Sequence, residues 1–221
     1  MLYTFKKTIT ILFSIIIFSY LSYLMFKICL SYFPWTGKNY FLVLKQDLIN
    51  TQPWHFAFQV HVVTSCFCLL AGFTQFFKSL RRGKFKNLYR KAGYLYIISV
   101  LGFALPSGFI LALDALGGLA TQISFILLSL LWAISTCLAL FYAIRKNWFQ
   151  HQNWMIRSFA LTLSALSLRT WKLILYELSP YWDWLTPIHI YQLESWLGWV
   201  INLMFAELII YRLYRKRQMK A

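Results

Sequence analysis

The chain has 221 residues, of which 60% are hydrophobic, 20% aromatic and only 13% charged. A soluble domain carries roughly a quarter charged residues, so a single water-soluble core is excluded and the composition is that of a polytopic membrane protein. Its 22 Lys and Arg against 6 Asp and Glu, a formal charge of +16, would point a soluble chain toward nucleic acid; in a membrane protein the same residues first report orientation.

A crossing helix needs about 20 mostly apolar residues, from a hydrocarbon layer of about 30 Å and a rise of 1.5 Å per residue. Six stretches approach this: about 8–30, 54–77, 93–114, 119–144, 154–178 and 194–213. The fold class they predict is all-α, a six-span transmembrane bundle forming a single integral membrane domain over 1–221. Lys6-Lys7 precede the first stretch, which is longer than a signal-peptide apolar core and is followed by no small-x-small cleavage site, so it reads as a retained signal anchor. Pro106-Ser107-Gly108 interrupts the third stretch, where a kink frees backbone groups to line a cavity. Gly117-Gly118, just after Asp114, is the one break before the fourth and predicts a very tight turn. The fifth and sixth stretches are apolar but carry charges.

Basic residues fall on one side of this arrangement: Lys6 and Lys7; Lys78, Arg81, Arg82, Lys84, Lys86, Arg90 and Lys91; Arg145, Lys146 and Arg157; and Arg212, Arg215, Lys216, Arg217 and Lys220. Asp47, Asp114, Glu177, Asp183 and Glu194 fall on or near the other. Under the positive-inside rule both termini are then cytoplasmic. Trp35, Trp54, Trp148, Trp154, Trp182, Trp184, Trp196 and Trp199 cluster near predicted span ends, where amphipathic rings prefer to sit. The basic loops suit anionic lipid headgroups on the cytoplasmic side, and with no groove-reading or stacking module beside them nucleic-acid binding is set aside. Cys29, Cys66, Cys68 and Cys137 lie in or beside spans without metal-ligand spacing. Cys66 and Cys68 point about 200° apart on a helix and cannot grip one ion together. No metal site, catalytic residue, phosphate-binding glycine loop or serine elbow is expected.

Charges inside hydrocarbon cost about 2.5 to 3.5 kcal/mol each on insertion scales, so each needs a partner or a purpose. Counted from Arg157, Arg169 lies about 18 Å and Lys172 about 22 Å along the fifth span, in its outer half. His61 lies about 10 Å below the outer surface on the second span, at nearly the depth of Arg169. Ser158, Thr162, Ala165, Arg169 and Lys172 share one stripe, and so do His61, Thr64, Cys68, Gly72 and Gln75. Such small-and-polar faces pack inward in membranes. Candidate ligand-binding residues are therefore His61, Asp114, Arg169 and Lys172. Simpler readings stand beside this one: Lys172 snorkelling to headgroups or pairing with Asp114, His61 as a buried hydrogen-bonding residue, and Glu207 pairing with Arg157. His55, His151 and His189, at span ends or in loops, read as interfacial.

The segment from His61 through Gly72, Gln75-Phe76 and Arg81-Arg82 to Tyr89-Arg90-Lys91-Ala92-Gly93-Tyr94-Leu95-Tyr96 resembles the bacterial predicted-membrane-protein family called domain of unknown function 2306. So does His151-Gln152-Asn153-Trp154-Met155-Ile156-Arg157-Ser158-Phe159-Ala160-Leu161-Thr162, followed by Leu168-Arg169. It departs from that pattern at Tyr89, where the family usually carries histidine. The resemblance implies a bacterial inner-membrane protein and assigns no activity. It carries over Arg90, Gly93, His151, Trp154 and Arg157 as motif positions, with His61 and Arg169.

Four functions follow for comparison. The favoured one is a small-molecule site for a quinone or an anion in the outer half, Arg169 and Lys172 holding negative charge while His61 exchanges a proton. A b-type haem protein would need facing histidines at one depth, and His151 falls at the opposite face from His61. A transporter would favour discontinuous helices in repeated halves, and Pro106-Ser107-Gly108 has no counterpart. A non-catalytic accessory or assembly role is the fourth. Enzymatic activity, cofactor and oligomeric state have no signature in the sequence.

Overall fold

The computed structural model describes residues 2–33, 35, 40–43, 45–49, 51–81 and 83–219. Every element among the described residues is helical, as the apolar runs predict. The chain divides into two units, Met1–Asn50 and Thr51–Ala221. The first holds α1 (Leu2–Ser31) and two single turns, α2 (Tyr40–Val43) and α3 (Gln46–Ile49). The predicted first span lies within α1, whose apolar part is Ile15–Ser31 among the described residues.

The second unit begins with α4 (Gln52–Thr74). Pro53 sits in its first turn, where a missing N–H removes no helical bond. Two 3-10 turns, Lys78–Arg81 and Gly83–Phe85, carry the basic loop into α5 (Lys86–Ile98). That helix continues through a π-helical stretch, Ser99–Ala104, into α6 (Leu105–Leu113). Gly117 and Gly118, with φ of +87° and +76°, make the predicted tight turn. Such angles carry no steric penalty for glycine. Next come α7 (Leu119–Ile144) and α8 (Trp148–Thr162), the latter capped by the Asn147 side chain, which accepts the Gln150 N–H. A one-residue break at Leu163 leads to α9 (Ser164–Leu178), and a 3-10 turn, Ser179–Tyr181, precedes α10 (Pro187–Gln218).

Four helical stretches among the described residues are long and apolar enough to cross a membrane: Gln52–Thr74, Gly83–Leu113, Leu119–Ile144 and Pro187–Gln218. The fifth predicted span corresponds to α8 and α9 together. Each has 15 residues, about 22 Å at 1.5 Å per residue, and alone falls short of the hydrocarbon layer. Arg157, Arg169 and Lys172 dilute the apolar run, and the turn at Leu163 divides it.

Cross-helix contacts give the register. Antiparallel α4 and α5–α6 meet where His61 touches Ala104 and where Gln75 touches Tyr89. Antiparallel α8–α9 and α10 meet at Leu168–Gly198, Ala160–Asn202 and Arg157–Glu207. Parallel α7 and α10 pair at a constant offset of 75, Gln192 donating to the Gly117 carbonyl and Trp199 to Ser124 Oγ. Small residues permit the close approaches: a Cβ on Gly72 would lie 2.6 Å from the Phe159 ring and 2.8 Å from that of Tyr96. At the centre the fully buried Tyr96 hydroxyl meets Ser158 Oγ at 2.6 Å and Thr162 Oγ1 at 2.9 Å, and Ser158 meets Thr136 Oγ1 at 2.7 Å. Lipid supplies no hydrogen-bond partners, so these hydroxyls satisfy one another across three helices.

Candidate functional site

An imidazole, an arginine and a buried carboxylate are linked by charge: Arg169 of α9 acts both on His61 of α4 and on Glu194 of α10. His61 Nδ1 lies 3.0 Å from the Ala104 carbonyl and 3.5 Å from Ser107 Oγ. A carbonyl only accepts, so Nδ1 carries the hydrogen and the neutral ring presents a lone pair at Nε2. No described residue bonds Nε2. A π-helical stretch ends at Ala104, just ahead of Pro106, whose missing N–H leaves a carbonyl of the preceding turn without its helical donor. The irregularity associated with Pro106-Ser107-Gly108 is the π-helical stretch Ser99–Ala104 that precedes it. Gly108 gives the imidazole its room, since a Cβ there would lie 2.9 Å from His61 Cε1.

The charge of Arg169 acts on His61. Arg169 is half-buried, with Nη1 donating to its own helix at Ala165 O. Among the described residues its other donors bond no side chain. Lys172, one turn on, is exposed. Asp114 ends α6 about 15 Å along the helix from Ala104, away from the level of His61.

Sequence reasoning counted Glu194 only among the acids of one face, yet it is 1% exposed. Its Oε2 accepts no hydrogen bond among the described residues. Two flanking contacts fix its level: Gly198 packs on the Leu168 backbone, and Leu175 packs with Ile190 beside Leu193 and Leu197. Glu194 therefore faces the stretch of α9 holding Arg169 and Lys172, and both charges act on it. The signal available in the sequence was helical phase, which puts Glu194 four residues before the small Gly198 on one face of α10.

The other residues carried over from the family motifs, Arg90, Gly93, His151, Trp154 and Arg157, lie toward the other end of the second unit. Gly93 leaves space for the Gln75 side chain, whose Nε2 donates to the Tyr89 carbonyl at 3.2 Å. Tyr89 returns a bond to the Gln75 carbonyl. His151 Nδ1 donates to the Ala139 carbonyl of the neighbouring helix at 2.8 Å. Burial lowers its pKa below the ordinary 6.5, the bond to Ala139 opposing and the Arg81 charge adding to the shift. Arg157 makes the expected pair with Glu207, Nε to Oε1 at 2.6 Å and Nη2 to Oε2 at 2.8 Å, while its guanidinium lies over Trp154 at 4.5 Å. Arg90 is exposed. His55 and His189 are held by local contacts, to Gln59 and to Trp184 with Thr186.

His61 and His151 thus sit at opposite ends of the second unit, and these two do not face each other as a bis-histidine haem pair would. No disulfide joins the cysteines, and the described residues contain no metal-holding cluster of His, Cys, Asp or Glu. No curated protein and no solved structure matches the chain. A family model described as a predicted membrane protein, DUF2306, matches residues 58–210, from early α4 to late α10, and so covers both His61 with its surroundings and the motif end. The chain belongs to the DUF2306 family of predicted membrane proteins.

Proposed function

We propose that this protein binds an anionic small molecule, a quinone-type or carboxylate head group, at His61, Arg169 and Lys172 in the outer half of the bundle, with Asp114 at the rim. The supporting observation is the His61 imidazole, fixed through Nδ1 on a carbonyl at a π-helical break, with Nε2 unused among the described residues and the Arg169 charge acting on it. π-helical turns recur at functional sites, and a membrane-buried arginine is expected to serve a substrate or a partner. The accompanying topology has six crossings, α8–α9 forming the fifth, in a bacterial inner membrane. Both termini are cytoplasmic and the basic loops lie on anionic headgroups.

The test uses purified protein and 2-hydroxy-1,4-naphthoquinone, a quinone that is an anion at neutral pH, with neutral 1,4-naphthoquinone as control. Wild-type protein is expected to bind the anion and gain thermal stability, and Arg169→Ala to lose at least tenfold in affinity, about 1.4 kcal/mol. Equal binding by both proteins, or no binding by the wild type, defeats the proposal.

A further inference from the structure

Glu194 is a buried carboxylate that the anion site leaves without a task. It is almost fully enclosed, its Oε2 lacks a hydrogen-bond donor, and the contacts at Leu168–Gly198 and Leu175–Ile190 bracket it opposite Arg169 and Lys172. Neither cation closes on it: among the described residues the one ion pair is Arg157–Glu207, at the far end of α10. Donors on Arg169 and an acceptor on Glu194 therefore stay apart, each within the other's field. A bound anion in that gap would take the field of both cations for itself. The carboxylate would then be a second negative charge beside the first, in surroundings too dry to screen it.

Resting on the anion site just described, we propose that Glu194 makes anion binding proton-coupled, the carboxylate taking up one proton from solvent when an anion engages Arg169 and Lys172 and returning it on release. The charged and titratable groups that face it are few. From α9 they are Arg169 and Lys172, and Arg169 in turn acts on His61 of α4. The neighbouring residues of α7 and α10, Ser124, Ser195 and Trp199, are joined by bonds of their own and do not titrate. One proton enters with each anion, so the charge added to the site is zero. That is the arrangement an acid needs if it is to be held in low dielectric.

The experiment is calorimetric titration of 2-hydroxy-1,4-naphthoquinone into purified protein, in buffers of different ionisation enthalpy, between about pH 6 and pH 9. Wild-type protein is expected to take up close to one proton per anion at the maximum, where affinity falls about tenfold per pH unit. Glu194→Gln should bind the same anion with no uptake and a flat pH profile, whereas His61→Gln should bind more weakly yet still take up one proton per anion bound. Binding without proton uptake in the wild type, or uptake that persists in Glu194→Gln, overturns the inference and leaves the anion site standing. Absence of binding by the wild type defeats the site itself. Should Glu194→Gln fail to fold, Glu194→Asp gives the same decision, because a shortened acid must retain uptake with a displaced pH maximum.

Discussion

At the scale of single residues, the arginine–glutamate pair of α8 and α10 is the best defined charge interaction among the described residues. Arg157 Nε and Nη2 each donate to one Glu207 oxygen, and the guanidinium is stacked on Trp154. The pair is partly open, 22% and 50% exposed, so its removal should cost more than a surface pair in water and less than a fully buried one. We expect Arg157→Ala to destabilise by about 1–3 kcal/mol. The double variant with Glu207→Ala should be less unstable than the sum of the two single changes. Melting curves in detergent for the cycle give the answer; strict additivity would mean the pair contributes nothing. This interaction was legible in the sequence, because opposite charges at one depth in two spans leave little choice of partner. Glu194 was not: its depth placed it with interfacial acids, and only the packing of α9 on α10 encloses it.

His151 carries a pH dependence of stability with a definite sign. Its folded-state pKa is depressed below the unfolded 6.5, so folding favours the neutral ring. The resulting stability is full above about pH 6.5 and is lost as pH falls through the lower, folded value. Wild-type protein should therefore melt earlier on acidification from pH 7 to pH 5, and His151→Gln should flatten that slope. An unchanged slope in the variant would assign it elsewhere.

Between elements, close approach is governed by glycines that face aromatic rings and an imidazole. Gly72→Ala drives a methyl into Phe159 and Tyr96, and a cost of about 1–3 kcal/mol is expected in thermal unfolding. The π-helical stretch supports a sharper prediction. Wide turns of this kind hold one residue more than an α-helix would, so deleting one residue within 99–104 should restore regular bonding and withdraw the Ala104 carbonyl from His61. Binding of the anionic naphthoquinone should fall while helix content stays the same; retained binding would show the irregularity to be idle. Sequence reasoning reached this feature from Pro106 but put it on the proline itself. The structure places the disturbance in the preceding turn, because a proline lacks its bond to the residues before it, not after. The break at Leu163 has no comparable signal: no glycine or proline marks it, and the 3.6-residue stripe of Ser158, Thr162, Ala165 and Arg169 runs across it.

Across the whole molecule, charge distribution was the most readable property. The loop after α4, the loop after α7 and the end of α10 carry the basic residues, and successive helices run in alternating directions, so these three places share one end of the second unit. We expect a green-fluorescent reporter fused after Ala221 to fluoresce, and alkaline phosphatase fused at Gly117-Gly118 to be active in the periplasm. The reverse pattern would invert the proposed topology and move His61 to the cytoplasmic half. The number of helices was harder to read, because hydropathy alone joins α8 to α9 and hides the one-residue turn between them.

The Tyr96 hydroxyl and the serine that receives it are 62 residues apart in the chain. At about 5–20 residues per second, a ribosome takes roughly 3–12 s to cover that interval. Throughout it, α4 and α5 are already made while the tyrosine has no completed partner. The nascent hairpin is thus provisional until α8 arrives, and a truncated chain ending before Ser158 would offer an incomplete core to membrane quality control.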